Sequence, residues 1–162
     1  MNRESIEVYA AGGRQLSQAY EGLSRNQLFA IPEPGTWSLH QIAIHMMDSD
    51  LIGSDRMKRI ASMDRPLLCG YDETAFNELP GINQLDAAEA CKVFAINRQM
   101  TAIILRHLPD PSFERFGIHD EVGKVTLRDM VDKYVHHLEG HLTHVYRKRA
   151  MVGAPVAGKM TS

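Results

Sequence analysis

Apolar side chains recur every three or four positions along most of the chain, which places them on one face of an α-helix. The pattern predicts four long helices, over residues 4–23, 38–63, 86–107 and 126–151. No segment shows the sustained alternation of apolar and polar residues that is typical of a half-buried strand. The predicted fold class is therefore all-α, with the four helices joined antiparallel in an up-down-up-down bundle.

Two of these helices have clear start signals. Ser38 is followed three residues later by Gln41, and Thr126 is followed at the same spacing by Asp129. This is the spacing of a capping box, in which each side chain bonds a free backbone N–H of the other residue. We therefore expect the second and fourth helices to begin at these positions.

Two segments do not fit the pattern of a simple bundle. Gly12 and Gly13 lie near the middle of the first helix, where they cost about 2 kcal/mol of helix propensity relative to alanine. That helix is expected to depend on close contact with a neighbour. The connection after the second helix carries two prolines and two glycines and is too long for a tight link. Loops of that length often line a functional site.

Length, composition and charge limit the possible functions. The 162 residues suit one domain, expected over residues 1–152 with a flexible tail over 153–162. A formal net charge of -2 does not favour nucleic-acid binding, and no run is apolar for long enough to suggest a membrane span. The N-terminus does not resemble a signal peptide, so we expect a cytoplasmic protein. Cys69 and Cys91 are isolated in sequence and are expected to be small buried residues.

Four of the eight histidines fall within nine positions of the fourth helix, at His136, His137, His141 and His144. His137 and His141 are four residues apart, so their imidazoles rise from successive turns and can converge on one metal ion. His136 points almost directly away from the apolar stripe of the helix and is expected to be solvated. Histidine pairs at this spacing also occur by chance, so a metal site and a solvated histidine-rich face both remain open.

The neighbouring residues disfavour two classes of metalloenzyme. Leu138 and Gly140 stand where the two zinc-protease motifs need glutamate. No glutamate lies three residues before His45, His137 or His141, as a di-iron bundle would require. A third ligand would have to come from another helix. His45 lies at the edge of the apolar stripe of the second helix, in the same relation as the pair on the fourth, and is the geometrically plausible partner.

Three blocks of sequence together resemble the DinB-like superfamily and, within it, the YfiT-type branch. They are "TWSLHQIAIHMMDSD" at 36–50, "YDE" at 71–73 and "HHLEGHLTHV" at 136–145. The resemblance covers about residues 5–150. It implies a four-helix bundle in which His45, His137 and His141 bind a divalent metal, zinc or nickel, with His144 close by. Two positions differ from the branch, at Thr36 and Asp50, and leave the substrate open.

Three neutral nitrogens leave one coordination position open, as in catalytic zinc sites. The ion could activate water for hydrolysis or a low-molecular-weight thiol for transfer, and members of the family are described with both activities. The resemblance also points to a small-molecule substrate and a homodimer. Asp72 and Glu73 could accept hydrogen bonds from the metal ligands, or could simply be solvated acids in a turn. A metal-dependent enzyme is favoured over a non-catalytic stress-response or ligand-binding bundle with a structural metal, and over a bundle that binds metal only adventitiously.

Overall fold

The computed structural model describes residues 3–159, in which four long helices form a bundle. The helices are α1 Glu4–Tyr20, α2 Arg25–Phe29, α3 Leu39–Ser62, α4 Glu73–Asn77, α5 Ala87–His107 and α6 Leu127–Met151. The bundle consists of α1, α3, α5 and α6, while α2 and α4 are short helices in the connections. The predicted all-α class is confirmed, and the four long helices lie within three residues of their predicted ends. The final three residues of the predicted tail lie outside the described part of the chain.

Both predicted capping boxes are present. Backbone N–H groups of Gln41 and Asp129 donate to the hydroxyls of Ser38 and Thr126, each over 3.1 Å. The side chains of Gln41 and Asp129 accept in return from the backbone N–H groups of the cap residues, over 3.0 Å. These bonds fix the starts of α3 and α6, the two helices that carry the predicted metal ligands.

The helix directions differ from the up-down-up-down order. His40, near the start of α3, is 2.9 Å from the Leu85 carbonyl just before α5, and Asp50 meets Asn97 further along both helices. Hence α3 and α5 are parallel neighbours. Arg149 near the end of α6 likewise donates to Ala19 near the end of α1. The bundle is therefore up-down-down-up.

The long connection over residues 63–86 follows from this arrangement. Because α3 and α5 run in the same direction, the chain must return along the whole bundle between them. The returning segment, called here the crossover, contains the short strand β1 Leu67–Leu68, α4 and a single 3₁₀ turn over Ile82–Gln84. It packs against α3 through α4, and this contact brings the predicted loop residues to the histidines.

A small sheet lies at the end of the bundle where α3 and α5 finish. Strand β2 Phe116–His119 pairs in parallel with β1 Leu67–Leu68 and antiparallel with β3 Gly123–Thr126. The sequence pattern missed this sheet because strands of two to four residues are too short to show alternation. The sheet joins the crossover to the start of α6.

A buried ion pair ties the four bundle helices together. The Arg98 Nε donates to an Asp50 carboxylate oxygen over 2.8 Å, and both side chains are almost fully buried. The other two guanidinium nitrogens donate to the carbonyls of Tyr9 on α1 and Tyr134 on α6. Asp50, one of the two positions at which the sequence differs from the pattern it resembles, thus anchors Arg98 in the core.

Close contact also explains the paired glycines of α1. A Cβ atom at Gly13 would come within 2.7 Å of the Ala95 Cα on α5, so a larger residue would push the two helices apart. The expected dependence of α1 on a neighbour is thereby confirmed. Of the two cysteines, Cys91 is buried as expected, whereas the expectation for Cys69 is wrong because it lies exposed in the crossover.

Within residues 3–159, no helix combines the length and apolar character needed to cross a membrane. The cytoplasmic location stays a prediction.

Candidate metal centre

His45, His137 and His141 converge between α3 and α6. One ring nitrogen from each of them lies within 4.8 Å of the corresponding atom in the other two. The Nε2 atoms of His45 and His137 are 3.2 Å apart. The i,i+4 pair comes from successive turns of α6, and His45 meets it because α3 packs antiparallel against that helix. The three histidines that the sequence analysis grouped as partners therefore lie together in the structure.

This arrangement fits a divalent metal ion. Tetrahedral zinc with Zn–N bonds of about 2.0 to 2.1 Å places its nitrogen ligands roughly 3.3 Å apart, close to the His45–His137 separation. The Nδ1 atom of His141 is buried and has no hydrogen-bond partner within the described chain. A set of three imidazoles suits zinc or nickel and would leave a coordination position free.

Burial keeps these imidazoles neutral at physiological pH. Desolvation lowers the pKa of His45 to about 4 and that of His141 to about 4. The pKa of His137 falls to about 3, mainly through desolvation and further through the neighbouring His141 and His45. Imidazole must be unprotonated to bind a metal, so these three side chains are already in the protonation state that metal binding requires.

Three further side chains support the histidine rings. The Trp37 ring lies over His45 with centroids 4.9 Å apart, and the Tyr134 ring meets His137 edge-on at 5.9 Å. A Glu73 carboxylate oxygen is 3.7 Å from the Nδ1 of His45. This distance is beyond hydrogen-bond range; a closer approach would let the carboxylate accept from the Nδ1–H and favour the tautomer whose Nε2 faces the other two histidines.

Two cavities border the histidines. The larger, about 440 Å³, is lined by His137 together with Asp72 and Glu73. The smaller, about 190 Å³, is lined by His141 and His144. The Asp72 carboxylate caps α4 by accepting from the Ala75 N–H over 2.9 Å, so its first role is to shape the crossover.

The other two histidines of the cluster, His136 and His144, are not among the three that converge. His136 is exposed, and its Nδ1 is 2.8 Å from the Asp132 carbonyl on its own helix. His144 is exposed, and its ring centroid is 6.4 Å from that of His141. The division of the histidines by helical face therefore agrees with their positions in the structure.

Several residues of the larger cavity were not singled out by sequence reasoning. Ser49 and Arg56 follow His45 by four and eleven positions, so all three share one face of α3. That periodicity was available in the sequence, but it could not show that Arg56 would be buried. The other lining residues that were not singled out are Gly70, Tyr71, His119, Glu121, Lys133 and Tyr134.

Comparisons with known proteins agree with this fold. A protein of Bacillus subtilis named "putative metal-dependent hydrolase YfiT" is 27% identical over 141 residues, covering 86% of this chain and 79% of the relative. A similarly named protein of Oceanobacillus iheyensis is 26% identical over 132 residues, covering 82% and 76%. The solved structure of YfiT superposes with a TM-score of 0.87 at 26% identity, covering 93% of this chain and 86% of that one. Its title describes "a probable metal-dependent hydrolase with an unusual four-helix bundle topology".

A sequence profile of the DinB superfamily matches residues 9–145. The match takes in all four bundle helices in whole or in part, the crossover and the three converging histidines. This chain belongs to the DinB superfamily.

Proposed function

We propose that the protein is a metal-dependent hydrolase whose ion is held by His45, His137 and His141. The observation that carries the proposal is the convergence of three neutral imidazoles, His45 buried and the other two partly buried, of which His137 lines a cavity of about 440 Å³. Three protein ligands with one free position are typical of catalytic zinc sites, whereas structural sites are closed by four.

The chemistry depends on the ion and on the residues that surround it. Bound there, a divalent ion would act as a Lewis acid and lower the pKa of a water molecule, the more so because no carboxylate ligand reduces its charge. Trp37 packs against the His45 ring, and the Glu73 carboxylate lies 3.7 Å from its Nδ1, where it could accept a hydrogen bond after a small movement. The cavity on the His137 side gives a small substrate access to the centre. Relatives named as metal-dependent hydrolases support the same reaction class.

Elemental analysis of protein purified without a histidine tag tests the metal site. We expect about one zinc or nickel ion per chain in the parent protein and close to none in His45→Ala and His141→Ala. His136→Ala is the matched control, because His136 is on the same helix but exposed, and it should keep the metal. A parent protein with almost no bound metal would contradict the site.

Turnover on a panel of esters and amides tests the reaction class. Activity should disappear with a chelator, return when zinc or nickel is restored, and be absent from His45→Ala. The ion that restores activity best would also identify the preferred metal. Stoichiometric metal without turnover of any substrate would favour a non-catalytic binding bundle.

Thiol S-transfer is the second candidate, favoured by the cavity of about 190 Å³ beside His141. With a cavity bordering each of two ligands, a low-molecular-weight thiol and an electrophile could reach the centre separately. A thiolate is a good ligand for zinc, so the same ion would serve this reaction. Product formation that requires added thiol would select transfer over hydrolysis.

We further propose a homodimer through the outer face of α5. This face carries an apolar stripe at helical spacing in which each side chain is at least 39% exposed, formed by Val93, Ile96, Met100, Ile103 and Ile104. A second copy could bury the stripe against itself across a two-fold axis. Light scattering should give twice the chain mass for the parent and the chain mass for Ile96→Glu with Met100→Glu. A monomeric parent would contradict the dimer.

A further inference from the structure

Arg56 is a buried cation without a counter-charge. Its side chain lies in the wall of the larger cavity, and the residue is only 5% exposed. One terminal guanidinium nitrogen donates to the Cys69 carbonyl, and the guanidinium also bonds the neutral Tyr134 hydroxyl. The Nε is buried and has no hydrogen-bond partner among residues 3–159. Among residues 3–159, no carboxylate oxygen lies within the 4.0 Å ion-pair distance of this guanidinium.

Burying a charge is expensive unless it is paired. The contrast with Arg98 is direct, because that equally buried arginine is paired with Asp50 and bonded through all three of its nitrogens. Arg56 keeps part of its donor capacity free, on the wall of a cavity. A ligand that brings negative charge into the cavity would satisfy it.

The cavity joins Arg56 to the proposed metal centre. Its lining includes both Arg56 and the ligand His137. Eleven residues along α3 separate Arg56 from His45 on the same helical face, so their Cα atoms are about 16 Å apart along the axis. A substrate could therefore reach the centre with one end while its other end meets the guanidinium.

The other groups of the cavity agree with an anion at this end. The Tyr71 hydroxyl is buried beside Ser49, and among residues 3–159 no hydrogen bond of standard geometry holds it, so it is a second donor available to a ligand. Lys133 adds a positive charge. The acidic lining residues Asp72, Glu73 and Glu121 are all exposed and can keep their carboxylates hydrated. Arg56 is thus the only buried residue of the lining that always carries a charge.

We infer that Arg56 binds an oxyanion group, carboxylate or phosphate, on the substrate of the proposed metal-dependent enzyme. The planar guanidinium matches the geometry of both groups, and its bonds to them are charge-assisted. The inference rests on the proposed function for the reaction at the other end of the substrate. Anion binding itself needs only the cavity, so it can be measured without the metal.

The test is calorimetric titration of chelator-treated protein with succinate and, separately, with inorganic phosphate, at low ionic strength. We expect saturable binding at one site for at least one probe, and the tighter probe identifies the anion class. Arg56→Gln should weaken that binding at least tenfold, because it removes a charge-assisted contact. Lys58→Gln is the matched control: it removes one positive charge from an exposed position of the same helix and should change affinity less than twofold.

Several outcomes would overturn the inference. One is that neither succinate nor phosphate binds saturably to the parent protein. The other is that the parent and a folded Arg56→Gln variant bind the probe with equal affinity. If that variant does not fold by circular dichroism, Lys133→Gln and Tyr71→Phe should each weaken binding, and unchanged affinity in both would count against the site. If anion binding fails but the protein contains metal and shows turnover, only the inference about Arg56 is contradicted and the proposed hydrolase is not. If the purified protein binds the anion but contains no metal, the role of Arg56 would be supported and the proposed hydrolase would be contradicted.

Discussion

Buried polar residues along one helix have different roles because they have different partners. On α3, Asp50 faces Arg98 and stabilises the core, His45 faces two other imidazoles, and Arg56 faces a cavity. Sequence alone identifies each as a polar residue in a helical pattern. The partner across the bundle decides whether such a residue contributes to folding or to binding.

Glu73 should strengthen metal binding through His45. Glu73→Gln removes the carboxylate charge that lies 3.7 Å from the His45 Nδ1, so the ring loses its orienting partner. Affinity for zinc should fall about tenfold, the lower end of the usual effect of such partners. Competition with a chromophoric chelator measures it. Glu78→Gln, an exposed change at the end of α4, should leave affinity unchanged.

Acid should destabilise the metal-free protein through its histidines. The pKa of His137 is lowered from 6.5 to about 3 in the fold, so below pH 6.5 the unfolded chain takes up a proton that the native state refuses. His45 and His141, each with a pKa of about 4, act in the same direction. The contribution of these histidines to the free energy of unfolding should therefore be complete above pH 6.5, and the free energy of unfolding should fall as pH is lowered toward 4.

Urea unfolding of chelator-treated protein across this pH range measures the effect. His137→Gln should flatten the dependence because it removes one of the three groups. His136→Gln should not, because that residue is exposed. An equal slope in all three proteins would contradict the assignment.

At the level of elements, the helices were predictable where local chemistry determines them. Ser38 and Thr126 fix helix starts through bonds to residues three positions away, and such bonds are legible in sequence. The i,i+4 pair His137 and His141 was legible for the same reason. The sheet could not be predicted from the sequence, because the pairing of Leu67 with Ile118 joins residues far apart in the chain. The burial of Arg56 was hidden for the same reason.

The close approach of α1 and α5 should make Gly13 intolerant of a side chain. Gly13→Ala gains helix propensity but places a Cβ 2.7 Å from the Ala95 Cα, so we expect a net loss of about 1 to 3 kcal/mol in unfolding free energy. Gly140→Ala on α6 has no atom within 4 Å of the new Cβ and should gain up to about 1 kcal/mol. Urea unfolding of both variants checks the contrast, and effects of the same sign would contradict it.

At the scale of the molecule, the helix order could not be derived from segment lengths alone. Short links favour alternating directions, whereas the crossover is long enough to permit a parallel return. The length of that connection was visible and led to the expectation that it lines a site; in the structure it lines the larger cavity. The path across the bundle was not visible, because it depends on which helix faces pack together.

The ion pair of Asp50 and Arg98 should be essential to the assembled bundle. Asp50→Asn leaves Arg98 buried without its counter-charge, so the free energy of unfolding should fall by about 3 to 5 kcal/mol. Arg106→Gln breaks an ion pair of the same 2.8 Å length with Glu7 at the exposed surface and should cost less than about 1 kcal/mol. Denaturation curves of the two variants compare them directly, and equal losses would show that the buried pair has no special role.

The path of the crossover has an evolutionary consequence. The three proposed ligands are on two bundle helices whose packing is costly to change, while Tyr71, Asp72 and Glu73 reach the cavity beside His137 from a surface connection. Surface connections tolerate substitution and insertion far better than packed helices. Descendants of one ancestral bundle could therefore diverge in what they accept while inheriting the same three histidines. Differences in chemical preference within the superfamily should accordingly be sought first in this segment of the gene.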